Sequence, residues 1–147
     1  MDLNENLKMK GELTIVHRNS DGKIKDVINV PNLVLTTGKQ YIASRMVGTS
    51  TNVMSHMAIG TGTVTPAVND TVLGTEAGRV ALASFSSSGA TVTATATFPA
   101  GTGTGAITEA GILNASSAGT MLCRTTFPVV NKAAGDSIAI TWIITVS

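Results

Sequence analysis

Apolar and polar positions alternate along most of this chain, and the alternation is clearest in its last stretch. From Asp136 to Ser147, Ile138, Ile140, Trp142, Ile144 and Val146 fall on one face, and Ala139, Thr141, Ile143 and Thr145 on the other. A period of two with β-branched residues on both faces is the signature of a strand, because successive Cβ atoms point to opposite sides of a sheet. This strand carries the only tryptophan, so we expect it inside the fold with other strands covering it.

The same period recurs upstream. Lys10–Arg18 and Ile24–Val30 flank Asn19–Lys23, whose Asp-Gly pair marks a hairpin because Gly22 can adopt the positive φ that the turn requires. Pro31, which has no N–H for a ladder, is expected to end the second of these strands. Met54–Gly60 reads as a short apolar strand and Thr61–Asp70 as a long surface loop. Ala77–Phe85 and Ala90–Phe98 form a second hairpin across Ser86–Gly89, with Thr91, Thr93, Thr95 and Thr97 on one face of the latter run. Ala106–Asn114 and Thr120–Phe127 form a third pair, and Thr-Phe-Pro is expected to end a strand at Pro99 and again at Pro128. One stretch has helical character: Thr37 as N-cap, Gly38–Val47 as the helix with Ile42 and Met46 on one face, and Gly48 as the stop.

These elements predict an all-β fold. The expected architecture is an antiparallel β-sandwich, jelly-roll or immunoglobulin-like, of about eight strands with one short helix. Residues 9–147 read as one β-sandwich domain and residues 1–8 as an N-terminal arm. First residues ordinarily fray. The alternative is an arm that docks on a neighbouring subunit through Leu3 and Leu7, spaced one helical turn apart.

Composition narrows the function. Charged residues make up 13% and aromatics 3% of the 147 positions, and the formal net charge is +1, which leaves no basic stripe for nucleic acid. A mean hydropathy of +0.28 is high for a solitary domain and points to subunit contacts. No apolar run approaches the ~18 residues of a membrane helix, so no membrane partner is expected. The N-terminus lacks the pattern of a signal peptide, and the single cysteine, Cys123, excludes an intrachain disulfide; both fit synthesis in a reducing cytoplasm.

The residues that carry chemistry elsewhere are scattered here. His17 and His56 have no partner at ligand spacing and read as structural, so no metal or cofactor is expected. Cys123 lies mid-strand with Arg124 on the opposite face, which leaves it without an activating base. The glycine-rich stretches Gly60–Gly62 and Gly101–Gly105 open no helix and read as turns rather than phosphate loops. Glu109 stands out as a lone carboxylate in the uncharged run Ile107–Ile112. One carboxylate cannot serve as an acid–base pair, so it reads as half of a structural ion pair with Arg79 or Arg124. A carbohydrate hydrolase would need two carboxylates flanking an aromatic-lined groove, and Trp142 and Tyr41 provide no such platform. No catalytic residue is assigned, and the chain is expected not to be an enzyme.

Three stretches, taken in order, carry a resemblance: Met57–Thr63 continuing through Asp70–Glu76, then Ile107–Asn114, then Asn131–Trp142. Together they resemble small structural proteins of tailed bacteriophage virions. The resemblance implies a β-sandwich without enzymatic activity, serving as a capsid cement or decoration protein or as a module of a tail fibre or baseplate. A short chain with no residues left over for a shaft or receptor tip favours the first. The expected partners are then the major capsid protein and copies of this chain, as a dimer or trimer on the capsid exterior. A tail adaptor contacting tail proteins or a host receptor is the alternative.

Overall fold

The computed structural model describes residues 5–49 and 52–147. The described residues form nine strands and one helix: β1 (Met9–Arg18), β2 (Ile24–Val34), α1 (Thr36–Met46), β3 (His56–Gly60), β4 (Glu76–Ala81), β5 (Ser84–Ser88), β6 (Thr91–Phe98), β7 (Gly105–Leu113), β8 (Met121–Lys132) and β9 (Ser137–Val146). All pairings are antiparallel. The all-β class and the single short helix are as expected. The sandwich, however, is one continuous sheet in the order β4-β3-β7-β8-β2-β1-β9-β6-β5, curled into a half-barrel.

The curl follows from β2, which lies in both halves. β2 pairs with β1 along Ile24–Asn32 and then with β8 at Leu33 and Val34 only, so it leaves one half of the sheet to join the other. At the far side β4 leads into β5 through Leu82 and Ala83 alone, and no ladder joins these two strands. β4 and β5 are therefore the two free ends of the curled sheet. The expected run Ala77–Phe85 is broken at this corner, which turns eight strands into nine. Its hairpin turn is Gly89–Ala90, with Gly89 at φ +56°, and not the serine run, which is strand β5.

β9 lies between β1 and β6 at the middle of its half, and Ile138, Ile140, Trp142 and Ile144 are all buried. They pack with Leu13 and Ile15 of β1, Ala94, Ala96 and Phe98 of β6, and Met57, Ile59, Ile107 and Ile112 of the other half. This is the apolar interior of the half-barrel. Trp142 Nε1–H donates to Asn32 Oδ1 at 2.9 Å, which satisfies the one polar atom of the largest buried side chain. Gly11 makes room for that bond, since a Cβ there would stand 1.5 Å from Asn32 Oδ1.

Of the three prolines expected to end strands, Pro99 directly follows the end of β6, whereas Pro31 and Pro128 lie within strands. Pro31 pairs with Glu12 where the other side of β2 is still open, because β8 joins only from Leu33. Pro128 lies where the β7–β8 register shifts between Ile107 and Glu109. Open sides and bulges are the two places where a strand tolerates a missing N–H. The helix also differs at its start. Leu35 holds the N-cap position, and the Thr37 hydroxyl instead donates to Met121 O at 2.8 Å. Gly38 lets the helix lie against β8, for a Cβ there would sit 2.1 Å from Leu122 O. Ile42 packs on the core, whereas Met46, expected on the same face, is exposed.

Candidate functional site

The loop between β3 and β4, residues 61–75, lies across the face of β3, β7 and β8 that points away from the half-barrel interior. Along β3, Met57 and Ile59 face the main core, and Ala58 between them faces a second cluster with Leu35, Leu73, Leu113 and Met121. Leu73 is thus the apolar peg by which the loop sits on the sheet.

The polar anchor is Glu109, wholly buried on β7. Its Oε1 accepts the backbone N–H groups of Gly62 at 2.9 Å and Thr75 at 2.8 Å, and its Oε2 accepts that of Gly74 at 2.9 Å. Arg124 of β8 donates to the same Oε2 through Nε at 3.2 Å and Nη2 at 2.8 Å. Burial by itself pushes the Glu109 carboxyl up, but the N–H of Thr75, the Arg124 guanidinium and the N–H groups of Gly74 and Gly62 outweigh it and hold the group below the ordinary carboxylate range. Glycine is required around it: a Cβ on Gly60 would meet Glu109 Oε1 at 2.5 Å, and one on Gly62 would meet it at 2.6 Å.

Arg124 extends the anchor outward. Nη1 donates to Asp70 Oδ2 at 2.8 Å and Nη2 to Val64 O at 3.0 Å, so one buried guanidinium ties the loop at two further points. Thr108 Oγ1 donates to Gly62 O at 2.7 Å, and the Thr36 N–H donates to Val68 O at 2.8 Å from the start of α1. Both ends and the middle of the loop are therefore held. Among threonines and Asn69 it exposes three valines: Val64 is 74%, Val68 45% and Val72 65% exposed.

Of the two arginines expected near Glu109, Arg124 makes the pair. Arg79 binds Glu76 at 2.6 Å and the carbonyls of Ala115 and Ala118 instead. Of the two arm candidates, Leu3 lies outside the described residues. Leu7 is exposed and lines an apolar groove of about 530 Å³ with Met9, Leu33, Ile42 and Met46, flanked by Lys8 and Lys39. Cys123 is buried, and burial pushes its thiol up, away from the reactive thiolate.

His17 lies on β1 and His56 on β3, with three strands between them in the sheet. His56 Nδ1 meets Ser55 Oγ at 2.8 Å. His17 belongs to a buried polar cluster that the spacing of residues concealed. Its Nδ1 stands 2.9 Å from Asp26 Oδ2 and its Nε2 2.8 Å from Asp136 Oδ2, so each ring nitrogen faces a carboxylate. The Ala133 N–H, then His17, hold the Asp136 carboxyl down at about 2. Nearby, buried Lys132 donates to Pro99 O at 2.9 Å and Asp136 O at 2.7 Å; burial pushes its ammonium down, and Asp136 opposes that shift. Each group in this cluster is engaged in holding the β1–β2 end to the β8–β9 turn.

Among the described residues no group of three or more His, Cys, Asp or Glu side chains is placed to hold a metal ion, and no helix is long and apolar enough to cross a membrane. The chain matches no protein-family model, no curated protein and no solved structure.

Proposed function

We propose that this chain is a non-enzymatic structural protein that docks on a larger assembly through the loop of residues 61–75. The observation that carries this reading is the buried Glu109–Arg124 anchor beneath a loop that exposes Val64, Val68 and Val72. Loops normally present polar side chains and move. A loop whose backbone is tied down loses little entropy on docking, and the three exposed valines gain from burial, the two terms that decide association.

The resemblance of the three sequence stretches to virion proteins of tailed phages supports an identity for the assembly. In this reading the chain is a capsid cement protein that spans joints between major capsid protein subunits. Many modest contacts repeated by symmetry then act together, so none need be strong alone.

The test is co-sedimentation of the purified chain with expanded capsids and, separately, with tails. The expected result is saturable binding to capsids at hundreds of copies per particle, lost in the triple substitution Val64→Ser, Val68→Ser, Val72→Ser. Binding to tails alone, at a few to tens of copies, would replace this reading with a tail adaptor. Capsid binding unaffected by the triple substitution would remove the loop from it.

A further inference from the structure

The free end strand β5 is built to pair with itself. We infer that two copies of this chain associate through antiparallel addition of β5 to β5, which extends the sheet of one copy into that of the other. This does not depend on the capsid reading and is tested on the purified chain alone.

Several stretches of strand backbone lack a ladder partner on one side, and β2, β4 and β5 among them are not alike. The open side of β2 carries the charges Lys25 and Asp26 and the imino residue Pro31. β4 carries the ion-paired Glu76 and Arg79. Charges and proline are the usual devices that keep an edge from pairing with another chain. β5, Ser84-Phe-Ser-Ser-Ser88, has neither, and every one of its residues is exposed. No residue from Val80 to Thr108 is charged, so nothing in β5 or its hairpin partner β6 repels an identical strand.

Phe85 indicates what covers this edge. It pairs with Ala94, whose side chain faces the interior, yet its own ring is 39% exposed, beside a shallow hollow of about 170 Å³ lined with Ser86, Ser87 and Val92. A two-fold axis at Ser86, the central residue of β5, sets Ser84 against Ser88 and Phe85 against the partner's Ser87. The two Phe85 rings then lie diagonally on one face, within reach of one another and of the hollows, as cross-strand aromatic pairs do. An isologous contact of this kind closes after two copies. Five residues of edge span only ~17 Å. Such a contact buries far less than the ~1,200 Å² of a standard stable interface, so the dimer is weak and in rapid exchange.

Sedimentation equilibrium reads this directly. The wild-type chain is expected to shift from the 15.0 kDa monomer toward twice that mass as concentration rises. A dissociation constant of about 10 µM to 1 mM is expected for an interface of this size. Ser86→Lys and Ser86→Glu place like charges face to face across the axis, so each variant alone stays monomeric, and an equimolar mixture dimerises again. Ser86→Cys sets two thiols opposite one another and is expected to cross-link to a covalent dimer on mild oxidation, with buried Cys123 taking no part. Should the charged variants fail to fold, this cross-link decides. A wild-type chain that stays monomeric at 1 mM, a dimer indifferent to Ser86→Lys, a mixture that does not reassociate, or a Ser86→Cys chain that does not cross-link would each overturn the inference.

Discussion

Arg124 Nη2 stands 2.8 Å from Glu109 Oε2, with side-chain exposures of 3% and 0%, and this pair links a strand of the sheet to a loop fifteen residues long. Both charges are almost wholly buried, so they depend on one another, on the loop backbone and, for Arg124, on Asp70 for their solvation. The loop in turn has its shape because Gly62, Gly74 and Thr75 direct their N–H groups at one carboxylate.

Replacing Glu109 with Gln keeps the shape and removes the charge. It leaves Arg124 with Asp70 as its remaining carboxylate partner, and about 1–3 kcal/mol of stability is expected to be lost. Urea denaturation followed by Trp142 fluorescence measures the loss. The double variant Glu109→Gln, Arg124→Met also removes the buried guanidinium, leaves the part-exposed Asp70 to water, and is expected to recover part of the loss. Limited proteolysis within residues 63–71 is expected to quicken in the single variant while the strands stay protected.

Acid weakens the fold in a defined direction. The Asp136 carboxyl is held at about 2 in the folded chain against an ordinary 3.8, and Glu109 is likewise held down. A carboxyl that is more acidic folded than unfolded contributes stability above its unfolded value and loses it as pH falls through the folded one. The urea midpoint is therefore expected to be level from near-neutral pH down to about 5 and to drop between about 4 and 2. Asp136→Asn is expected to be less stable than wild type at neutral pH and to show a shallower drop over that window.

Gly60 and Gly62 have no room for a side chain, since a Cβ on Gly60 would also stand 2.3 Å from Thr75 O. Gly60→Ala forces the loop backbone away from the Glu109 carboxylate, and about 1–3 kcal/mol of destabilisation is expected from overpacking of this kind. Gly22→Ala differs in cause. Nothing lies within 4 Å of the new Cβ, and the cost comes from the φ of +82° alone. Thermal melts of the two variants, with proteolysis of the 61–75 loop, separate the causes: only Gly60→Ala should loosen the loop.

The Cys123 thiol is buried and pushed away from ionisation. A thiol-specific reagent at neutral pH is expected to leave the native chain unlabelled and to react stoichiometrically in urea. Labelling of the native chain at the unfolded rate would contradict this placement.

Period-two alternation determined the strands, because the burial of every second residue is written locally; β9 and β6 could be read off directly, and so could the turn at Gly22. It also singled out Glu109, since a lone charge in an apolar strand needs a partner somewhere. Which arginine answers it was a tertiary matter: Arg124 comes to Glu109 only because β7 and β8 are neighbours, while Arg79 on β4 finds Glu76 close by in the chain. Pro31 and Pro128 misled for the same reason. Whether a missing N–H matters depends on which side of a strand is paired, and a residue's own neighbours do not record that. The His17 cluster joins residues 119 apart, and the curl of the sheet rests on β2 leaving one half for the other after Asn32. Local pattern states what each segment buries; only the curled sheet states against what.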